Sequence, residues 1–259
     1  MTQSYDKASI DYDDFFSCPE DYQKNVVRII SMQAYAEMKG ATEVGYQLKL
    51  APDAISRKRL AKIVYDEASH AYLLYDILHQ LNVSEEEAIG IAEGKNTRSS
   101  QSLSLDGVIA VGDDENTWLD IVLNNFFLDR AGSFMVNNFA KSSFKPWSKA
   151  CESIYKDEVW HVRFGLEELT NYIETHSLSC VAEKFGMWYA RALNFFGPSF
   201  SRSHEQLKAY GIKRLSNHEL RQQFITDVTT LIDDKNWHDL LPCVSQDYPF
   251  HINHLEALL

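Results

Sequence analysis

Two stretches decide how this chain is read: Asp66-Glu67-Ala68-Ser69-His70 and Asp157-Glu158-Val159-Trp160-His161. Each contains Glu-x-x-His, a spacing that sets a carboxylate and an imidazole on one face of a helix. Spacing alone has little weight. With 18 Glu and 9 His among 259 residues, chance supplies about 0.6 such pairs, so position has to decide. Around the first motif the apolar stripe is Leu60, Ile63, Val64, Ala71, Leu74 and Leu78; around the second it is Cys151, Ile154, Tyr155, Val162, Gly165 and Leu169. Both pairs fall in the middle of their stripes. Burying a carboxylate and an imidazole among aliphatics is costly unless something compensates, and a shared metal compensates them all at once. Asp76-Ile77-Leu78-His79 gives the contrast. It lies nine residues beyond the first pair, half a turn away at about 100° per residue, and reads as solvated.

Two further helices should each supply one carboxylate. Glu37 lies on the stripe Ile30, Ala34, Ala41, Val44, and Asp129 on the stripe Val122, Phe126, Ser133, Val136. Glu43 is the rival on the first helix, but it lies about 240° from Glu37 in helical phase. Glu37 precedes Glu67 by 30 residues and Asp129 precedes Glu158 by 29, so carboxylate followed by Glu-x-x-His occurs twice. This is the two-metal carboxylate pattern of ferritin-like bundles, with Asp in place of one Glu. The candidate ligands are Glu37, Glu67, His70, Asp129, Glu158 and His161. Such hard donors suit two iron ions, with manganese or a mixed pair as the alternative. Asp66 and Asp157, each beside a ligand Glu, are expected to orient the ligand histidines. Tyr35, Phe126 and Trp160 read as core packing more than as pocket lining.

The rest of the chain fits an all-α fold. The first long helix is expected from about Pro19 to Leu50, stopped by Ala51-Pro52. The second starts after Asp53, a good N-cap, and runs to about Leu81. Ser84-x-x-Glu87 and Ser216-x-x-Glu219 read as capping boxes that open further helices. Gly94 to Asp114, rich in Ser, Gly and Asn, reads as a long crossover connection. The third long helix is placed at about Asn116–Lys141, the fourth at about Pro146–His176 and a fifth at about Leu178–Phe196. The expected architecture is one ferritin-like domain over residues 1–259: a four-helix bundle at about 19–176, C-terminal helices at about 178–238, and a tail from about Asp239.

Composition excludes several classes. A net charge of -12 argues against nucleic acid, whose binding rests on cationic contacts to phosphate. Cys18, Cys151, Cys180 and Cys243 are scattered, with no Cys-x-x-Cys pair for a zinc ribbon or dithiol site. No apolar run approaches the ~20 residues of a membrane span. The acidic N-terminus lacks the pattern of a signal peptide, so a cytoplasmic location is expected. No Gly-x-Gly-x-x-Gly fingerprint follows a strand. Electrons for redox chemistry would therefore come from another protein.

Several segments together resemble a known family. They are Gln33–Pro52 with Glu37; Asp66 through Tyr75; Trp118 through Asp129; and Lys156-Asp157-Glu158 with His161. Phe196-Gly197-Pro198, Lys213-Arg214 and Asn217 through Gln222 complete the set. The chain resembles the catalytic component of the phenylacetyl-CoA epoxidases, within the di-iron oxygenases. That resemblance implies that the six candidate ligands are its metal-binding positions. It also implies an O2-dependent monooxygenase of a small organic acid or its acyl thioester, an external reductase, an oligomeric assembly and a paralogous helical subunit. The basic cluster Arg57, Lys58, Arg59 and Lys62 could then meet the phosphates of a carrier. There are departures. The family has a Glu seven residues after the first ligand and a Lys four residues before the second-helix Glu; here these are Val44 and Ile63. Two alternatives remain: a metal-binding structural partner of such an oxygenase, and a ferritin-like iron-handling or peroxide-detoxifying protein.

Overall fold

The computed structural model describes residues 9–94, 117–199 and 202–240, and these are almost wholly helical. A short α1, Tyr12–Phe15, leads into α2, Glu20–Tyr46. The first long helix thus ends four residues before the expected Leu50, and Leu48–Leu50 tightens into a 3-10 turn. Helix α3, Ala54–Gln80, begins where Asp53 predicts: its Oδ1 accepts from the backbone N–H groups of Ile55 and Ser56, both at 2.8 Å. Helix α4 spans Glu85–Ala92 behind the Ser84–Glu87 capping box. The expected crossover lies almost entirely outside the described residues.

The third long helix is not one continuous α-helix. It is α5, Trp118–Asn124, then a π-turn at Asn125–Asp129, then α6, Arg130–Phe139. A π-turn wastes helical hydrogen bonding and needs support. Side chains provide it: Asn125 Nδ2 donates to the Ile121 carbonyl at 2.7 Å, and Arg130 Nε donates to the Phe126 carbonyl at 3.2 Å. Helix α7, Lys145–His176, has Pro in its first turn and carries the second Glu-x-x-His. Helix α8, Ala182–Phe195, follows a 3-10 turn at Leu178–Cys180. Helix α9, Arg202–Ala209, was not expected from the sequence; its stretch Arg202-Ser203-His204-Glu205-Gln206 has little apolar periodicity. Helix α10, Asn217–Asp234, opens on the Ser216–Glu219 capping box.

Helix α2 packs along α3, α6 and the π-turn pack along α7, and α3 meets α7 between the two pairs. This is an all-α, ferritin-like bundle with added helices. Helices α8 and α10 cover the π-turn side, where Phe126, Phe127, Phe185, Trp188 and Phe224 are all fully buried. Lys184 and Trp188 of α8 both bond Asp120 of α5, and Arg130 pairs with Asp227 of α10. The site-bearing helix is thereby fixed from the outside.

Helix α7 approaches the π-turn so closely that only glycine fits at position 165. A Cβ there would lie 2.5 Å from the Phe126 backbone N and 2.7 Å from the Asn125 carbonyl carbon. These are backbone atoms and cannot step aside as a side chain can. Gly165→Ala is expected to destabilise the protein by about 1–3 kcal/mol, the usual scale of overpacking. Urea denaturation that shows the variant as stable as wild type would refute this account of the packing.

Candidate metal centre

All six expected ligands are carried by the four central segments α2, α3, the π-turn and α7. Donor atoms of Glu37, Glu67, His70 and Glu158 lie within 4.8 Å of one another. His70 Nδ1 is 3.5 Å from Glu37 Oε2 and 3.9 Å from Glu158 Oε1. His161 Nδ1 is 3.2 Å from Glu67 Oε1 and 4.0 Å from Glu158 Oε1. The two imidazole centroids are 6.1 Å apart. Asp129, at the end of the π-turn, is not in that close group of four, but it lines the same cavity as Glu37, Glu67 and Glu158 and interacts electrostatically with His161, Glu67 and Glu37. Glu43, the rival on α2, instead pairs with Lys39 at 3.7 Å. Asp76 and His79 are exposed.

The far nitrogens of the histidines are held crosswise. His70 Nε2 of α3 lies 3.2 Å from Asp157 Oδ2 of α7, and His161 Nε2 of α7 lies 3.1 Å from Asp66 Oδ2 of α3. A carboxylate that accepts from Nε2–H selects the tautomer in which Nδ1 would face a metal as a lone pair. In the metal-free chain burial pushes His70 down, but Glu37, Glu67 and Asp157 outweigh it and hold the His70 imidazole above its ordinary value. Both Nδ1 atoms, with Asp129 Oδ2, are buried and lack a hydrogen-bond partner among the described residues. Buried polar atoms are rarely left so. A donor set with its lone pairs converging on one space fits a metal site.

The electrostatics agree. Burial pushes the Glu67 carboxyl well up, reinforced by the neighbouring Glu37. Burial does the same to Glu158, with Glu67 and Glu37 adding repulsion, and to Asp129, where His161 partly offsets the rise. For Glu37, burial is outweighed by His70, Glu67 and Gln33, and its carboxyl is held below the ordinary value. Three of the four acids therefore favour their protonated form without a cation.

The cluster forms one wall of a cavity of about 280 Å³. Gly40 and Gly132, each three residues after a single-carboxylate ligand, keep side chains off the cluster: a Cβ at Gly40 would lie 3.4 Å from Glu67 Oε2, and one at Gly132 3.7 Å from Glu158 Oε2. Val44 and Ile63 line this end and belong to one apolar cluster with Leu60, Ile121 and Phe164. Arg28, nine residues before Glu37 on α2 and so about 13 Å away along the helix axis, lines the cavity together with His204, Lys213 and Asn217. Lys213 is buried and donates to Asn217 Oδ1 at 2.5 Å. Its ammonium is pushed down to about 8 by burial and by the charge of Arg28. Sequence reasoning did not single out Arg28 or His204. Lys213 entered only as part of the family resemblance.

The basic cluster on α3 is placed elsewhere, since none of its four residues lines the cavity. Arg59 pairs with Glu167 and Glu168 at 2.6 and 3.0 Å, Arg57 donates to the Leu48 and Ala51 carbonyls, and Lys62 pairs with Asp66 and lies 4.5 Å over the Trp160 ring. Lys58 is exposed. Tyr35, Phe126 and Trp160 are likewise absent from the cavity wall.

Fold and site together define a helical bundle with a carboxylate–histidine cluster fitted for metal. The family profile described as phenylacetic acid catabolic protein matches residues 12–237, and the chain belongs to that family. It is similar to one of the subunits of the 1,2-phenylacetyl-CoA epoxidase of Escherichia coli (strain K12). The two are 26% identical over 225 residues, covering 83% of this chain and 68% of that one.

The raised acids set a pH dependence. The folded, metal-free protein binds protons at Glu67, Asp129 and Glu158 that the unfolded chain has lost, so its stability falls as pH rises above the ordinary carboxylate range of about 4–4.5. Thermal unfolding of metal-free protein from pH 5 to 8 should show this decline. Glu158→Gln should flatten it and match or exceed wild-type stability at pH 8. A variant that is instead markedly less stable than wild type at pH 8 would mark Glu158 as an ordinary structural acid.

Proposed function

We propose that this chain is the metal-bearing component of an O2-dependent monooxygenase acting on a small organic acid or its acyl thioester, with the phenylacetyl thioester the first substrate to test. The observation that carries the reading is the pair of orphaned Nδ1 atoms, each facing buried carboxylates while a crosswise Asp holds its far side. Glu37, Glu67, His70, Asp129, Glu158 and His161 would hold two irons, with manganese as the alternative. When bound, the metals supply reductive activation of O2. The remaining work falls to the chain. Asp66 and Asp157 fix the imidazoles. The apolar cavity wall, with Val136 and Phe139 among its residues, excludes water and holds the organic part of the substrate against the cluster.

The opposite end of the cavity favours an anionic group. Arg28, Lys213 and His204 gather there, and burial pushes both Arg28 and His204 down, His204 to about 4. His204 is then uncharged near neutral pH, so the like charges are Arg28 and Lys213, and an anion bound between them would relieve their repulsion in this low dielectric. A substrate with an apolar end and an acidic or phosphate-bearing end spans these two poles. The Val44 and Ile63 departures sharpen this. Where the family has an acid and a base, this chain has two aliphatic residues in one cluster. The change keeps net charge and leaves the cavity less polar at its metal end. The panel of acyl groups to test therefore extends beyond the phenylacetyl thioester to other apolar rings and chains.

Electrons would reach the site from an external reductase, since the sequence has no flavin or nicotinamide fingerprint. A paralogous helical subunit is the expected partner, because the relative named above is one subunit of an epoxidase.

Metal analysis of protein produced on iron should give about two irons per chain by the two-metal template. Glu67→Ala and His161→Ala should each abolish that stoichiometry, while Asp76→Ala and His79→Ala bind normally. Full iron in both ligand variants would refute the assignment. Reduced protein supplied with O2 and a panel of free acids and thioesters should add one oxygen to an acid or thioester. Turnover on NAD(P)H without a reductase would contradict the proposed electron source. Lys213→Met should weaken binding of the anionic substrate by about tenfold, the loss of one charge-assisted contact, and leave iron content unchanged. Wild-type binding itself should weaken as pH rises through about 8, where Lys213 loses its proton. Equal substrate affinity in variant and wild type would remove the anion from that end.

A further inference from the structure

A chain of side chains runs from α7 to the cluster: Trp147 and Glu37 are buried, and Gln33 between them is half-buried. Trp147 Nε1 donates to Gln33 Oε1 at 2.9 Å, and Gln33 Nε2 donates to Glu37 Oε1 at 3.1 Å. The Cys151 thiol lies 3.8 Å from the same Gln33 oxygen, a second and weaker donor. Trp147 is fully buried and packed on Phe139, with ring centroids 4.6 Å apart. Its position is set by the core and not by the metal cluster.

An indole N–H can only donate. The Gln33 oxygen must therefore face Trp147, and the amide cannot flip without setting two donors against each other. Its NH2 group must face Glu37. One Glu37 oxygen is thus taken by a hydrogen bond that favours the ionised carboxylate, and Oε2, 3.5 Å from His70 Nδ1, is the oxygen left for the cluster. Asp129 has no counterpart to this arrangement, since its Oδ2 lacks any partner among the described residues.

We propose that Gln33, locked by Trp147, is a positioning residue that restricts Glu37 to metal binding through Oε2 alone. The inference rests on the metal-site reading above and assigns a role that the ligand set by itself does not contain. Gln33 also lines the cavity, but the role assigned here is exerted through Glu37. Trp147 acts only through Gln33.

The test is a variant cycle read by equilibrium metal binding under anaerobic conditions, with Fe(II) in competition with a chelator. Gln33→Leu and Trp147→Phe should each lower affinity by about tenfold or more, the usual cost of losing a residue that orients a ligand. The double variant should bind no worse than Gln33→Leu, because the two side chains work in series. Gln33→Glu keeps the shape and an oxygen for Trp147 but, ionised, has no N–H to give. It should lose affinity like Gln33→Leu, whereas a space-filling role would be rescued by it. It also carries the test if Gln33→Leu does not fold, as judged by circular dichroism. In infrared difference spectra of metal-loaded against metal-free protein, the widely split carboxylate stretches of single-oxygen binding should diminish in Trp147→Phe. Unchanged affinity in both Gln33 variants, or single losses that add in the double variant, would overturn the inference. If wild type takes up about two irons and the variants match it, the inference alone falls. If wild type takes up none, the metal-site reading falls with it.

Discussion

The structure depends on how four carboxylates share one buried space. Glu37, Glu67, Asp129 and Glu158 come from four different segments and face one another where water is scarce. Ionised together they would repel strongly, since low dielectric magnifies charge interactions. Burial first, and this repulsion second, push Glu67, Asp129 and Glu158 towards the protonated form in the metal-free chain. A bound cation would relieve it better and would satisfy the orphaned imidazole nitrogens as well. An apolar core of the same shape would be the cheaper way to hold four helices together. The cluster therefore makes sense as a site kept for its chemistry, with stability supplied elsewhere.

Stability comes from the flanks. Aromatic side chains of α8 and α10 close over the π-turn, and α7 presses a glycine against the same turn from inside. The π-turn is costly as a helix and useful as a hinge of phase. It resets which residues of the third helix face inward, and Asp129 closes it at the cluster. Its supports, Asn125 and Arg130, bond to carbonyls of the same helix. Local polar chemistry and distant packing thus serve a single displacement of the backbone.

This division explains what the sequence reveals and what it conceals. The inward placement of the Glu-x-x-His pairs, Glu37 and Asp129 could be read because each interrupts an apolar stripe. Asp66 and Asp157 could be read from their place beside a ligand. The capping boxes at Ser84 and Ser216 followed from hydrogen bonds within four residues. The π-turn could not be read in this way, because a five-residue phase change leaves Val122, Phe126 and Val136 all apolar and all buried. The adjacent pair Asn124-Asn125 was the only local hint: two amides where a core helix would have aliphatics. Arg28 and Lys213 are 185 residues apart in sequence, and no periodicity joins residues that meet only through tertiary packing. Helix α9 escaped notice because its one buried side chain among those described is Leu207.

The two halves of the site match in order but differ in what holds them. Asp66, with a side chain only 9% exposed, is paired with Lys62, which is itself held over Trp160. Asp157, the corresponding acid on α7, is 43% exposed. His161 is thus clamped by a buried, counter-charged carboxylate, whereas His70 leans on one that water can reach. The single-carboxylate ligands show the opposite bias. Glu37 has Gln33 and Trp147 behind it, and Asp129 stands at the end of a π-turn with a free oxygen. Each half therefore combines one stiff ligand with one loose one: His161 with Asp129, and Glu37 with His70. A cluster built from stiff ligands alone would hold metal well and resist any change in coordination. One built from loose ligands alone would let the metal go. Pairing them would give a bound metal two firmly held donors, Glu37 and His161, and leave His70 and Asp129 more room to adjust, the compromise that the oxygenase reading proposed above requires and a storage site does not.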